Sequence, residues 1–335
     1  MKYNEEILFI VLFLHKVVQL FRKFGLLTIL AVIGLIFVGG FVRASGAGMG
    51  CPDWPKCFGM WIPPTSIDQL PVDYQTIFGA KLKGEVEFNV VKTWIEYINR
   101  LLGVLVGFFI FLTLIFSYRA YFNSNRSVFH LSFAAFVLVL FEGWLGAKVV
   151  SSELLPGLIT VHMIVAVLIL GILVFAILKT YFLEGFIKEL DNTRDIRFLI
   201  FIVLLLSIGQ LIFGTQIREG IDLAQKSLGY NNRHLWIDSV IGKVNFHALL
   251  GLIILVLQFL INSKIKGRFE GMMISSFSTK TLIFIVLSIF TGTILRFFGF
   301  PAFAQPLHLT LGVVVLTFQF VLLFLTKPQI AQYGK

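Results

Sequence analysis

The chain has 335 residues, 57% of them hydrophobic and 14% charged, and carries a net charge of +10. That apolar share, with 37 Phe spread over long uninterrupted runs, excludes a soluble domain and indicates an all-α polytopic membrane protein. The excess of Lys and Arg is then a topology signal, because a nucleic-acid partner needs an exposed basic domain that the chain does not have.

Residues 1–23 form an N-terminal segment whose apolar run, 7–21, is short and broken by His15, Lys16 and Gln19. It reads as a cytoplasmic interfacial helix rather than a span. The acidic start, Lys16 and the lack of a small-residue cleavage site argue against a cleaved signal peptide. Runs long enough to cross about 30 Å of hydrocarbon follow. They lie at 24–42, 94–117, 129–147 and 157–182, and again at 197–215, 244–261, 281–297 and 304–325. With eight spans, Arg22, Lys23, Arg119, Arg126, Lys179, Lys188, Arg194, Arg197, Lys264, Lys266 and Arg268 all fall on one side. The positive-inside rule makes that side cytoplasmic, together with both termini and the tail 327–335.

The long loops, 43–93 and 216–243, then lie outside, each after the first span of a half. Cys51 and Cys57 are both in the first of them, where oxidation is permitted and a disulfide can close a small loop. Structural pinning and a redox role are both open for the pair.

The chain repeats itself. Asn99-Arg-Leu-Leu-Gly103 matches His247-Ala-Leu-Leu-Gly251, and His162-Met-Ile-Val-Ala166 matches His308-Leu-Thr-Leu-Gly312. Gly39-Gly-Phe-Val-Arg43 matches Gly214-Thr-Gln-Ile-Arg218, and Gly143 is set against Gly292. A four-helix unit duplicated in parallel accounts for this, so residues 24–182 and 197–326 are expected to form two pseudo-symmetric four-helix bundles.

Asn99, His162, His247 and His308 stand near the outer ends of their spans, at a common depth. A porphyrin wedged between two antiparallel neighbours of a bundle needs one imidazole from each, at a common height, and His247 with His308 is expected to meet that requirement. In the first half Asn99 replaces one histidine, and Asn is a poor iron ligand. A haem there, held by His162, has an open position, which suits catalysis, whereas a closed pair suits electron transfer. His15, His130 and His234 have no repeat partner and read as interfacial or loop residues.

Glu96 shares a helix face with Asn99, one turn away. It is either a buried proton-handling carboxylate or a residue of the solvated helix end paired with Arg100. Glu142 sits well inside the third span, where a carboxylate is costly; a neighbouring helix, the first pocket and Lys148 are its candidate partners. Arg43 and Arg218 cap outer ends and either bind porphyrin propionates or snorkel, and Arg296 caps a third.

Together, Arg43-Ala-Ser-Gly-Ala-Gly, Cys51-Pro-Asp-Trp-Pro-Lys-Cys57, Glu96-Tyr-Ile-Asn-Arg-Leu-Leu-Gly103, the helix around His162, Asn245-Phe-His-Ala-Leu-Leu-Gly251 and Gln305-Pro-Leu-His-Leu-Thr-Leu-Gly312 resemble the haem A synthase family. The resemblance runs over nearly the whole chain from about Gly25. It implies oxidation of the C8 methyl group of haem O to a formyl group, giving haem A for cytochrome oxidase, in a bacterial cytoplasmic membrane. It also implies a haem b held by His247 and His308, haem O as substrate near His162, Glu96 as a functional carboxylate, and a role for Cys51 and Cys57 in haem handling or electron flow. Haem O synthase and the oxidase assembly apparatus are the partners it suggests, with a quinone or a protein as electron acceptor. The departure is Asn99, where the family carries Glu-x-x-His, and Glu142 stands where a Gln is common. Two readings compete with synthase activity: a non-catalytic b-type cytochrome or haem-binding assembly factor, favoured by Asn99, and a small-solute transporter built from parallel repeats.

Overall fold

The computed structural model describes residues 2–79, 87–187 and 189–327. Lys188 and the tail residues 328–335, which carry expectations above, lie outside the described residues. Among the described residues, eight helices are long and apolar enough to cross a membrane, so the chain is a multi-pass membrane protein. In chain order they are α1 (Lys2–Ala44), α3 (Val90–Tyr121), α4 (Arg126–Ser151), α5 (Pro156–Leu183), α6 (Arg194–Leu228), α7 (Ile241–Phe269), α8 (Met273–Phe297) and α9 (Ala304–Leu325). The short α2 (Tyr74–Gly79) lies in the first long loop. Among the described residues there is no strand, only an isolated bridge between Cys57 and Met60.

Two boundaries differ from the sequence expectation. The helix α1 runs 43 residues without interruption, and its membrane-competent part reaches back to His15. The residues joining the expected interfacial segment to the first span include no Pro, and one Gly at position 25 is too weak a breaker to separate them. The helix α6 continues to Leu228, about a dozen residues beyond the expected end of its span. Ile217, Ile221 and Ala224 explain the extension, because they recur at helical spacing and are buried against Trp236, Ile237 and Val240 of the following loop. That contact stops at Gly229, which takes the positive φ of +74° that ends a helix.

Packing neighbours are alike in the two halves. Helix α1 packs on α3, α3 on α4, α4 on α5, and α5 back on α1; likewise α6 on α7, α7 on α8, α8 on α9, and α9 on α6. Contacts between halves run α1–α9, α5–α9 and α5–α6. Helices α5 and α9 are accordingly the most enclosed, with 44% of their most apolar windows buried, and these two carry His162 and His308. Lipid is as apolar as the core, so hydroxyl and amide pairs hold the helices in register. Thr28 and Thr113 meet at 3.1 Å between α1 and α3, Thr160 and Thr215 at 2.8 Å between α5 and α6, and Gln319 Nε2 donates to Ser207 Oγ at 2.9 Å between α9 and α6.

Candidate functional site

The second-half site lies between α7 and α9, which are not the expected antiparallel neighbours: each packs on α8, and they face one another across the bundle. The rings of His247 and His308 have centroids 6.1 Å apart, at 61° to one another. Two metal–nitrogen bonds of about 2 Å, with roughly 1 Å from each nitrogen to its ring centre, span about 6 Å. The observed centroid separation matches that span. Nδ1 of His308 lies 2.9 Å from the carbonyl oxygen of Ser288 and 3.1 Å from Thr291 Oγ1. A carbonyl only accepts, so Nδ1 carries the proton and Nε2 keeps its lone pair for a metal. His247 is held through its backbone, whose carbonyl accepts from Gln210 Nε2 at 2.8 Å, while its buried Nδ1 has no partner among the described residues.

Each ring faces a glycine on the adjacent helix. A Cβ on Gly214 of α6 would stand 3.6 Å from Cε1 of His247, and one on Gly292 of α8 would stand 3.1 Å from Cε1 of His308. These bare backbones leave room beside the rings, which a flat macrocycle between the helices requires. Two protein ligands are too few for a bare ion but suit iron in a porphyrin, whose ring supplies the other donors.

The first-half site follows the same plan with different groups. Gly39 of α1 faces Asn99 of α3, with a built Cβ 4.0 Å from Oδ1, and Gly146 of α4 faces His162 of α5, with a built Cβ 3.6 Å from Cε1. The buried Oδ1 of Asn99 has no hydrogen-bond partner among the described residues. This corrects the expected register: the counterpart of Gly292 is Gly146, whereas a Cβ on Gly143 would meet nothing within 4 Å. Both glycines belong to one helix a turn apart, and only the facing imidazole tells them apart. The corrected register puts Glu142 opposite Ser288, each twenty residues before its histidine. Glu142 Oε1 lies 3.1 Å from His162 Nδ1, a close approach without hydrogen-bond geometry, so that nitrogen, like Nδ1 of His247, has no hydrogen-bond partner among the described residues. The expected partner Lys148 instead lies over the ring of Trp144, 5.9 Å from its centroid.

Beside the first site the loop that follows α1 is fastened to α3. Cys51 and Cys57 form a disulfide, both sulfurs belonging to fully buried residues, and Asp53 inside that loop accepts from Phe58 N at 2.5 Å and Gly59 N at 2.9 Å. Glu96, 3% exposed, spends both oxygens here: Oε2 accepts from Cys51 N at 2.9 Å and Oε1 pairs with Arg100 at 2.5 Å. Arg100 also donates to the carbonyls of Asp53 at 2.7 Å, Lys56 at 3.1 Å and Cys51 at 3.0 Å. Gly50 lets the loop backbone lie on α3, since a Cβ there would stand 2.4 Å from the carbonyl oxygen of Lys92. Glu96 is thus buried, as the proton-handling reading requires, and paired with Arg100, as the alternative reading requires. Glu96→Ala leaves the Cys51 N–H without its acceptor and the part-buried Arg100 guanidinium without its counter-charge, though still bonded to three carbonyls, and we expect a loss of about 3 kcal/mol. Thermal unfolding in detergent measures it, and a midpoint equal to wild type would contradict this structural role.

Arg43 and Arg218 meet on one carboxylate. Asp222 Oδ2 takes Arg43 and Oδ1 takes Arg218, both at 2.8 Å, so the matched arginines of the two halves are bridged. Asp222 was not singled out from the sequence, although its spacing four residues after Arg218 was a readable signal. Arg296 pairs with Asn245 at 2.8 Å, beside His247 in the chain. His15 and His130 are exposed, in keeping with interfacial positions, and His234 lies in the short turn Tyr230–Leu235. A groove lined by Asn192, Arg194, Arg197, Phe198 and Arg268, at the far end of α6, takes in none of these residues.

The chain is similar to the heme A synthases of Shewanella oneidensis, 27% identical over 192 residues, and Ehrlichia canis, 29% identical over 196 residues. The first match covers 56% of this chain and 54% of that protein, the second 56% of each. The heme A synthase of Rickettsia canadensis is 28% identical over 178 residues, which is 48% of this chain and 51% of that protein. The chain thus spans about half the length of the curated relatives it matches. A family profile described as cytochrome oxidase assembly protein matches residues 22–320, a stretch that contains both histidine sites, the disulfide loop and the bridged arginines. With that match over most of its length, the chain belongs to the cytochrome oxidase assembly protein family.

Proposed function

We propose that the protein is a haem A synthase, a membrane oxidoreductase that converts the C8 methyl group of haem O to a formyl group. The observation that carries this reading is the unequal pair of matched sites, two imidazoles 6.1 Å apart in one half and one imidazole facing Asn99 in the other. The halves 24–182 and 197–326 are the two functional units, the second holding haem b and the first taking haem O.

His247 and His308 are assigned as the axial ligands of haem b, with the Ser288 carbonyl orienting His308. When bound there, that group supplies one-electron transfer and, with both positions closed, little else. His162 is assigned as the ligand of the substrate iron, and Asn99 leaves the opposite position open. Two successive hydroxylations of the one methyl carbon, each taking its oxygen from water and releasing two electrons to the acceptor and two protons, give the hydrate of an aldehyde, which loses water. Glu96, one turn from Asn99, has the proton-handling role, oriented by Arg100 and the Cys51 N–H. Arg43 and Arg218 are assigned to the propionate ends, with Asp222 holding them together in the absence of that charge. The short basic loops face the cytoplasm and the disulfide loop faces outward, so that haem O enters from the outer leaflet. The electron acceptor is a quinone or a partner protein of the oxidase assembly route.

A second reading, a non-catalytic b-type cytochrome serving oxidase assembly, is favoured by Asn99, which offers the first site no second ligand. Co-expression with a haem O synthase, followed by mass analysis of extracted porphyrins, separates the two. Haem A is the expected product. Haem O alone, beside protein that is folded and holds haem b, would establish the second reading instead.

A further inference from the structure

We propose that Glu142 is the positioning residue of the first site, fixing the ring of His162 through Nδ1 so that Nε2 is presented to the substrate iron. This rests on the reading that the first half receives an iron porphyrin.

Three observations lead to it. First, the carboxylate and the histidine are neighbours in space, Oε1 lying 3.1 Å from Nδ1 across the α4–α5 contact. Second, the second half also places an acceptor at the equivalent ring nitrogen. Twenty residues before His308, the Ser288 carbonyl lies 2.9 Å from the equivalent Nδ1, and Gly292 stands beside that ring as Gly146 stands beside His162. The approach to Nδ1 is therefore repeated, as a hydrogen bond to the Ser288 carbonyl in the second half and, in the first, as a 3.1 Å approach of Glu142 that lacks hydrogen-bond geometry. Third, Glu142 has no other use. It sits inside a span, its buried Oε2 has no partner among the described residues, and Lys148 is turned to Trp144. A carboxylate in that setting costs several kcal/mol unless something positive or proton-donating faces it, and His162 does.

The exchange of a carbonyl for a carboxylate has chemical consequences. Both acceptors select the tautomer with the proton on Nδ1, but a carboxylate draws more strongly on that proton and makes Nε2 the better electron donor. A stronger donor on one face of the iron stabilises its oxidised state and favours reaction at the opposite face. That opposite face is the one Asn99 leaves open. The second site, which only exchanges electrons, has the weaker carbonyl. Glu142 and Asn99 are then complementary departures from the second-half pattern: one strengthens the single imidazole, the other removes its competitor.

The test uses the full chain co-expressed with a haem O synthase, purified, and examined in the reduced state by resonance Raman and by redox titration. Wild type is expected to give an iron–histidine stretching band from five-coordinate haem O, lost in His162→Ala, beside the low-spin haem b signal. In Glu142→Gln, which keeps volume and an acceptor but no charge, that band moves to lower frequency and the midpoint potential of the first site rises. Glu142→Leu, which removes the acceptor, lowers haem O occupancy about 10-fold. The low-spin haem b signal stays unchanged in both variants and reports that the fold is intact. Where Glu142→Leu does not fold, Glu142→Gln carries the test. An unchanged band and potential in Glu142→Gln, with the wild-type band present, would overturn this inference and leave the function standing. Absence of any His162-dependent band in wild type would overturn both.

Discussion

His247→Ala and His308→Ala each abolish the low-spin b-type absorbance of the purified protein, whereas His162→Ala keeps most of it. This expectation follows from the separation of the two second-half rings, 6.1 Å between centroids, which leaves room for one iron ligated from both sides. Loss of either imidazole leaves that iron with a single protein ligand, so the six-coordinate spectrum disappears even where some porphyrin is retained. Groups that merely orient a metal-bound histidine change affinity about 10–100-fold, and removal of the ligand itself exceeds that. The His308 variant suffers more of the two. Its ring is anchored by the Ser288 carbonyl and Thr291 and packed beside Gly292, so truncation leaves those acceptors facing a void on the enclosed helix α9. His247 has only its backbone carbonyl held, by Gln210. The optical spectrum of each variant, normalised to protein, checks the result; loss of the low-spin signal in His162→Ala alone would reverse the assignment of the two halves.

The spans were legible because bilayer thickness sets the length of an apolar run, and all eight expected segments fall within helices of the structure. Which way each helix faces was not legible. In a membrane the outward surface is as apolar as the core, so α5 shows no polar face from which His162 and its neighbours could be oriented. The repeat picked out the candidate positions, since similar motifs mark Asn99, His162, His247 and His308, but it slipped by one turn at Gly143, where two glycines of one helix compete for the same counterpart. The contact between Glu142 and His162 depends on that register and stayed hidden behind it. The role of Asp222 was hidden for another reason, as its bond to Arg43 spans 179 positions of chain. Glu96 was half legible. Its spacing from Asn99 and Arg100 is written in the chain, but its acceptance of the Cys51 N–H depends on a loop folded back by a disulfide.

Asn99→His converts the first site into a second closed site. The position is prepared for an imidazole: the equivalent His247 sits beside Gly214, and Asn99 sits beside Gly39, where a built Cβ approaches nothing closer than 4.0 Å. The buried Oδ1 of Asn99 has no partner among the described residues, so its replacement breaks no hydrogen bond and strands no donor. With haem O loaded by co-expression, the variant is expected to carry two six-coordinate haems, and its low-spin absorbance per protein roughly doubles. The five-coordinate band of the first site disappears at the same time, and carbon monoxide added to the reduced protein must then displace a histidine before it binds there. Both changes are read on one sample, with the haem b spectrum as internal reference. A first site that is loaded but spectrally unchanged by the substitution would mean that position 99 does not face the substrate iron, and the proposed open coordination would then lose its structural basis.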